Sequence, residues 1–104
     1  MSGGKQAKVA EVGELREGEA RVVDVEGRTL ALFNVGGTFY ALDNACAHRG
    51  GPLGEGDLEG TLVVCPWHAW RWDVTTGRNA NNPAVTMRSY PVRVAPDGIF
   101  VELG

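Results

Sequence analysis

The sequence predicts an all-β chain, an antiparallel β-sandwich with a smaller lobe over about residues 44–74. Two observations carry this. Short runs rich in β-branched and aromatic residues are separated by Gly, Pro, Asn and Asp turn signals, and no segment sustains the apolar period of a long helix. In addition, 15 glycines in 104 residues suit a chain of many tight turns. At this length, residues 1–104 are expected to form a single domain with no room for a second core.

Residues 1–8 read as a loose polar tail, and Glu11 to Arg16 forms at most one helical turn. Ala20 to Val25 is the first strand, Glu26-Gly27 a turn, and Arg28 to Val35 the second strand. Gly36-Gly37 supplies a hairpin turn into a third strand, Thr38 to Asp43, completing an antiparallel meander. Asn44 to Gly60 holds five glycines and Pro52 and reads as one long, sharply bent loop. Thr61 to Cys65 and Trp70 to Val74 are short strands on either side of a turn at Pro66 to Ala69. In the second of these, Trp70 and Trp72 alternate with Arg71, so one face of that strand belongs to a core. After a turn at Thr75-Thr76-Gly77 and a loop at Asn79 to Ala84, Tyr90 to Val94 and Ile99 to Leu103 form a last hairpin.

A net charge of −3 argues against nucleic acid as a partner and suits docking to a basic patch on another protein. Glu11 to Glu26 concentrates six acids against two arginines, and a solvated face is the simplest account of it. The first eight residues contain no apolar signal core, and the longest apolar stretch, Leu62 to Trp70, is too short to span a bilayer. The expectation is a soluble, cytoplasmic protein without a membrane partner.

Chemistry concentrates in two short patches. Cys46-Ala47-His48 lies in the first loop and Cys65-Pro66-Trp67-His68 in the second, with 16 residues between His48 and Cys65. Every Cys and His of the chain lies in one of them. Histidines and cysteines serving only as core filling have no reason to cluster this way. Thiolate and imidazole are ligands for iron–sulfur clusters, zinc and copper. A disulfide between Cys46 and Cys65 is the plainer alternative, disfavoured in a reducing compartment. Nearby glycines allow the backbone to approach a bulky inorganic core.

The stretches Cys46-Ala47-His48-Arg49-Gly50-Gly51-Pro52-Leu53 and Cys65-Pro66-Trp67-His68-Ala69-Trp70-Arg71-Trp72-Asp73, followed by Thr76-Gly77, resemble the Rieske-type ferredoxins. The resemblance extends over the flanking strands and the Pro83 loop. It implies a [2Fe–2S] cluster with Cys46 and Cys65 on one iron and His48 and His68 on the other. Two neutral imidazoles in place of two thiolates bring the oxidised cluster's formal charge to about 0 instead of about −2, which eases reduction. Members from cytochrome bc complexes carry an extra cysteine pair, a membrane anchor and hydroxyl residues near the second His. This chain has no further cysteine, and Trp70 and Trp72 stand where the hydroxyls would be. With fewer hydrogen bonds to sulfur, the potential is expected near the low end of the Rieske range, about −150 mV. Ala69 departs from the family's usual Gly, at a cost of about 1 kcal/mol if that position needs positive φ.

The resemblance implies an electron carrier rather than an enzyme, placed between a flavoprotein reductase and a terminal oxygenase. A small subunit of an NADH-dependent nitrite reductase is the second reading, its partner the large subunit. A structural Cys2His2 zinc module is the third. A terminal oxygenase is excluded, because its mononuclear iron needs two more histidines than this chain has. Leu53, Pro66, Trp67 and Pro83 are candidates to cap the cluster, and Trp67, between two ligands, is a candidate docking residue. Arg49 and Arg71 read as solvated charges near the ligands.

Overall fold

A computed structural model describes residues 6–45, 52–67, 70–82 and 84–103. Ten strands succeed one another: β1 (Gln6–Ala10), β2 (Ala20–Val25), β3 (Arg28–Val35), β4 (Thr38–Asp43), β5 (Asp57–Glu59), β6 (Leu62–Val64), β7 (Arg71–Asp73), β8 (Ser89–Tyr90), β9 (Val92–Ala95) and β10 (Gly98–Glu102). A 3-10 turn, Leu53–Glu55, precedes β5. The strands form three antiparallel sheets, ordered β1-β10-β9, β2-β3-β4-β8 and β5-β6-β7.

The central strand explains the layering. β3 contains the run Leu30-Ala31-Leu32-Phe33, apolar at every position rather than at every second one, and all four side chains are fully buried. Such a run needs cover on both faces of its sheet. Leu30 and Leu32 share one core with Val23, Ala41, Tyr90, Ile99 and Val101, which joins the four-stranded sheet to the β1-β10-β9 sheet. Ala31 and Phe33 face the other way, into a second core with Leu42, Leu53, Val63, Cys65, Trp72, Val74 and Met87. The small β5-β6-β7 sheet is therefore the lobe expected from the sequence, seated on the outer face of the main sandwich.

The meander agrees with expectation. β2 and β3 pair from Ala20↔Phe33 to Val25↔Arg28, and β3 and β4 from Leu30↔Asp43 to Val35↔Thr38. The β3–β4 turn uses Gly36 at φ 59° and Gly37 at φ 93°, the left-handed pair that a two-residue hairpin requires. Buried Asn34 finishes this corner: its Nδ2 donates to Leu15 O at 2.9 Å and its Oδ1 accepts from Gly37 N at 2.9 Å.

Three expectations need correction. Residues 6–8, read as tail, belong to β1, which pairs with β10 (Gln6↔Glu102). Its partner lies at the far end of the chain, so no local signal marks it. Residues 57–59, read as loop, form β5 against β6. The strand expected from Tyr90 to Val94 is two strands in different sheets: Tyr90 pairs with Ala41, whereas Val92 pairs with Val101. Pro91 stands at the changeover. Its ring removes the N–H that a continuous ladder needs, while its carbonyl still accepts from Glu102 N at 2.9 Å.

Candidate metal centre

The two loops that carry the chemistry spring from well-fixed stems. The first leaves β4 at Asp43. Asn44 N donates to Thr29 O at 3.1 Å, and Asn44 O accepts from Leu53 N at 2.9 Å. The Asn44 side chain adds a third tie, its Oδ1 accepting from Gly54 N at 2.8 Å. Ala45 and Pro52 form an antiparallel bridge, so the two ends of this loop are held together at its base. An Asn at this corner suits its habit of bonding nearby backbone.

The exit of this loop is locked onto the sandwich. Leu53 is fully buried in the second core. Gly54 lies against β2 so closely that a Cβ there would stand 2.6 Å from Val22 Cγ2, 2.8 Å from Val22 N and 2.9 Å from Arg21 C. Only glycine fits this approach.

The second loop is the connection of the β6–β7 hairpin. Val64 pairs with Arg71, and Cys65 N donates to Trp70 O at 2.7 Å. Cys65 is 1% exposed and shares the second core with Leu53, Val63 and Trp72. Two residues on, Trp67 is 50% exposed. Thus one expected ligand position of this loop is buried in the protein while Trp67 meets solvent. Trp72 is wholly buried, and half-buried Trp70 stacks near it at 6.1 Å between ring centroids. The core role expected of the Trp pair is met in full by Trp72 and in part by Trp70. Arg71 points outward, its Nε 3.1 Å from Glu59 Oε1, as its reading as a solvated charge requires.

A third loop abuts β7. Asn79 bridges to Trp72, Ala80 N donates to Arg71 O at 2.9 Å, and buried Asn79 Oδ1 accepts from the N–H groups of Asn81 and Asn82. The sequence alone did not single out Asn44 or Asn79. In both cases the clue was an Asn at a strand–loop junction.

Of the four expected ligands, the structure describes Cys65. Cys46, His48 and His68 lie outside the described residues, as do Arg49, Ala69 and Pro83. What the described residues bring together is the roots of both loops: Leu53, next to the Ala45–Pro52 bridge, and Cys65 belong to one buried core. Among the proposed caps, Leu53 is buried in that core, whereas Pro66 and Trp67 face solvent.

Residues 5–91 match the family model of the Rieske [2Fe–2S] domain. The chain belongs to the Rieske [2Fe–2S] domain family. Its cofactor is therefore a [2Fe–2S] cluster, and the zinc-module alternative falls. The ferredoxin component of a naphthalene 1,2-dioxygenase system from Pseudomonas aeruginosa is 40% identical over 91 residues, covering 86% of this chain and 88% of that protein. A chain from a complex of reduced oxygenase and oxidised ferredoxin in carbazole 1,9a-dioxygenase is 32% identical, with a TM-score of 0.85. That match covers 93% of this Rieske chain and 92% of the other. A Mycobacterium tuberculosis chain assigned as the small subunit of an NADH-dependent nitrite reductase superposes with a TM-score of 0.89 over 97% of this chain and 96% of that one. At 24% identity it speaks for the shared fold alone.

The residues present suit the cluster. A thiol at the root of a loop, buried among Leu53, Val63 and Trp72, would give a cluster a ligand sheltered from water. The loops supply two thiolates and two imidazoles between them, the donor set of a Rieske centre. Among the described residues, no helix is long and apolar enough to cross a membrane.

Proposed function

We propose that this Rieske ferredoxin carries single electrons from a flavoprotein reductase to a terminal oxygenase, through a cluster held by Cys46, His48, Cys65 and His68. The observation that carries the reading is the family match across residues 5–91, together with two loop stems rooted in one core. The curated relative's role as ferredoxin component of a dioxygenase system supports the choice of partner. The cluster, when bound, supplies a reversible one-electron couple. Cys46 and Cys65 bind as thiolates and His48 and His68 as neutral imidazoles, each loop contributing one of each kind. The core around Cys65 excludes water from its thiolate, and the Ala45–Pro52 bridge and the hydrogen bond from Cys65 N to Trp70 O hold the spacing.

The exposed Trp67 is the apolar contact beside His68 for a partner, in an interface of the small, transient class. The ferredoxin role of its relatives supports a carrier that serves an enzyme system without being the enzyme. We place it in the cytoplasm, where thiolates stay reduced until metallated, and we treat residues 1–104 as one Rieske unit with its cluster lobe at about 44–74.

Electron paramagnetic resonance of the dithionite-reduced protein tests the reading. A two-iron signal bearing nitrogen hyperfine coupling is expected. A colourless protein containing one zinc overturns it.

A further inference from the structure

At the root of the first ligand loop, the nearly buried Tyr90 donates its hydroxyl hydrogen bond to Asp43 Oδ1 at 2.5 Å, across the β4–β8 pair. The guanidinium groups of Arg88 and Arg28 lie 5.2 Å and 5.9 Å from the centroid of its ring. Asp43 is the last residue of β4, and its own N–H donates to Arg88 O at 3.0 Å. From there the ties run without a gap into the loop stem: Asn44 to Thr29, Leu53 and Gly54, then Ala45 to Pro52. A buried phenol needs a hydrogen-bond partner, and the partner taken here is the carboxylate that ends β4, so the bond ties that strand end to the sandwich. Beyond that strand end the chain runs through Asn44 and Ala45 directly to Cys46.

We propose that Tyr90 is a positioning residue for the cluster: by gripping Asp43 it fixes the take-off of the loop that carries Cys46 and His48. The inference rests on the ligand assignment above. Tyr90 touches the sandwich core and Asp43, and acts on the cluster only through the loop stem. Removing its hydroxyl frees the Asp43 carboxylate to seek water and gives the 44–45 corner room to shift. Loss of a group bonded directly to a metal ligand typically costs about 10–100-fold in affinity, and a group acting through the loop stem belongs at the lower end of that range.

The test uses the full chain with its cluster in place. Tyr90→Phe, Asp43→Ala and the double variant are compared with wild type for the rate of cluster bleaching in excess chelator, and for the line shape of the reduced paramagnetic signal. Val101→Ala, in the core that joins the β1-β10-β9 and β2-β3-β4-β8 sheets, serves as the stability control. The expected result is cluster loss about tenfold faster in Tyr90→Phe with a broadened signal, and no further acceleration in the double variant. Val101→Ala should lower the thermal midpoint at least as much, yet leave the signal unbroadened. The inference is overturned if Tyr90→Phe loses its cluster at the wild-type rate, or no faster than Val101→Ala at equal thermal stability. It is equally overturned if the two single effects simply multiply. A wild-type chain that shows no two-iron signal at all sinks the ligand assignment instead.

Discussion

Gly54→Ala tests the junction between the lobe and the sandwich directly. The added Cβ would meet Val22 Cγ2 at 2.6 Å, Val22 N at 2.8 Å and Arg21 C at 2.9 Å. Ordinary contacts between such atoms begin near 3.5 Å, so something must move by more than half an ångström. Two of the three atoms are backbone of β2, which is paired with β3 along its whole length. The 3-10 turn is therefore what gives way. It carries the buried Leu53, and it holds the Gly54 N–H that donates to Asn44 Oδ1. Overpacking of this kind costs about 1–3 kcal/mol, and a weakened hydrogen bond adds about 1 kcal/mol. For a domain of this size, 2–4 kcal/mol corresponds to a thermal midpoint lower by about 10–20 °C. Circular dichroism melts of the cluster-loaded protein measure this directly, and the visible band should bleach earlier in the same scan. A midpoint within about 2 °C of wild type refutes the claim that this close approach fastens the lobe to the sandwich.

Other outcomes are expected from the same structure. Cys65→Ser and His48→Ala should each abolish or alter the cluster spectrum; an unchanged paramagnetic signal in His48→Ala would remove that residue from the ligand set. With Trp70 and Trp72 in place of hydroxyl donors, the midpoint potential should fall near −150 mV, as an order-of-magnitude figure for the low end of the Rieske range, and a clearly positive value in a redox titration contradicts this. Burial, and after it the bond to Asp43, raises the pKa of Tyr90 above the ordinary tyrosine value. The stabilisation from its protonated form is complete below the pKa of the unfolded tyrosine and is lost as pH rises through the higher folded value. Thermal midpoints measured above about pH 10 should thus fall less steeply in Tyr90→Phe than in wild type, and parallel curves refute the assignment.

Local pattern made much of this protein legible. The β2–β3–β4 meander was readable because its turns, Glu26-Gly27 and Gly36-Gly37, are encoded in adjacent residues whose backbone angles few sequences reach. The strands around Cys65 were readable for the same reason, their two ends lying a few residues apart. The concentration of every Cys and His in two patches points to a metal site, because metal ligands must be particular residue types whatever fold presents them. Long-range pairing was decided elsewhere. β1 exists because β10 returns to it, and Tyr90 and Val92 part company because different sheets claim them across Pro91. The place of Leu53 in the motif marks it as a candidate cap. That it shares a core with Cys65, that Asn44 ties the loop exit, and that Tyr90 grips Asp43 all depend on residues brought together from distant parts of the chain. A single sequence records which side chains are available and how each bends its own backbone. Which of them meet across sheets is settled only when the burial of β3 on both faces forces the lobe and the sandwich together.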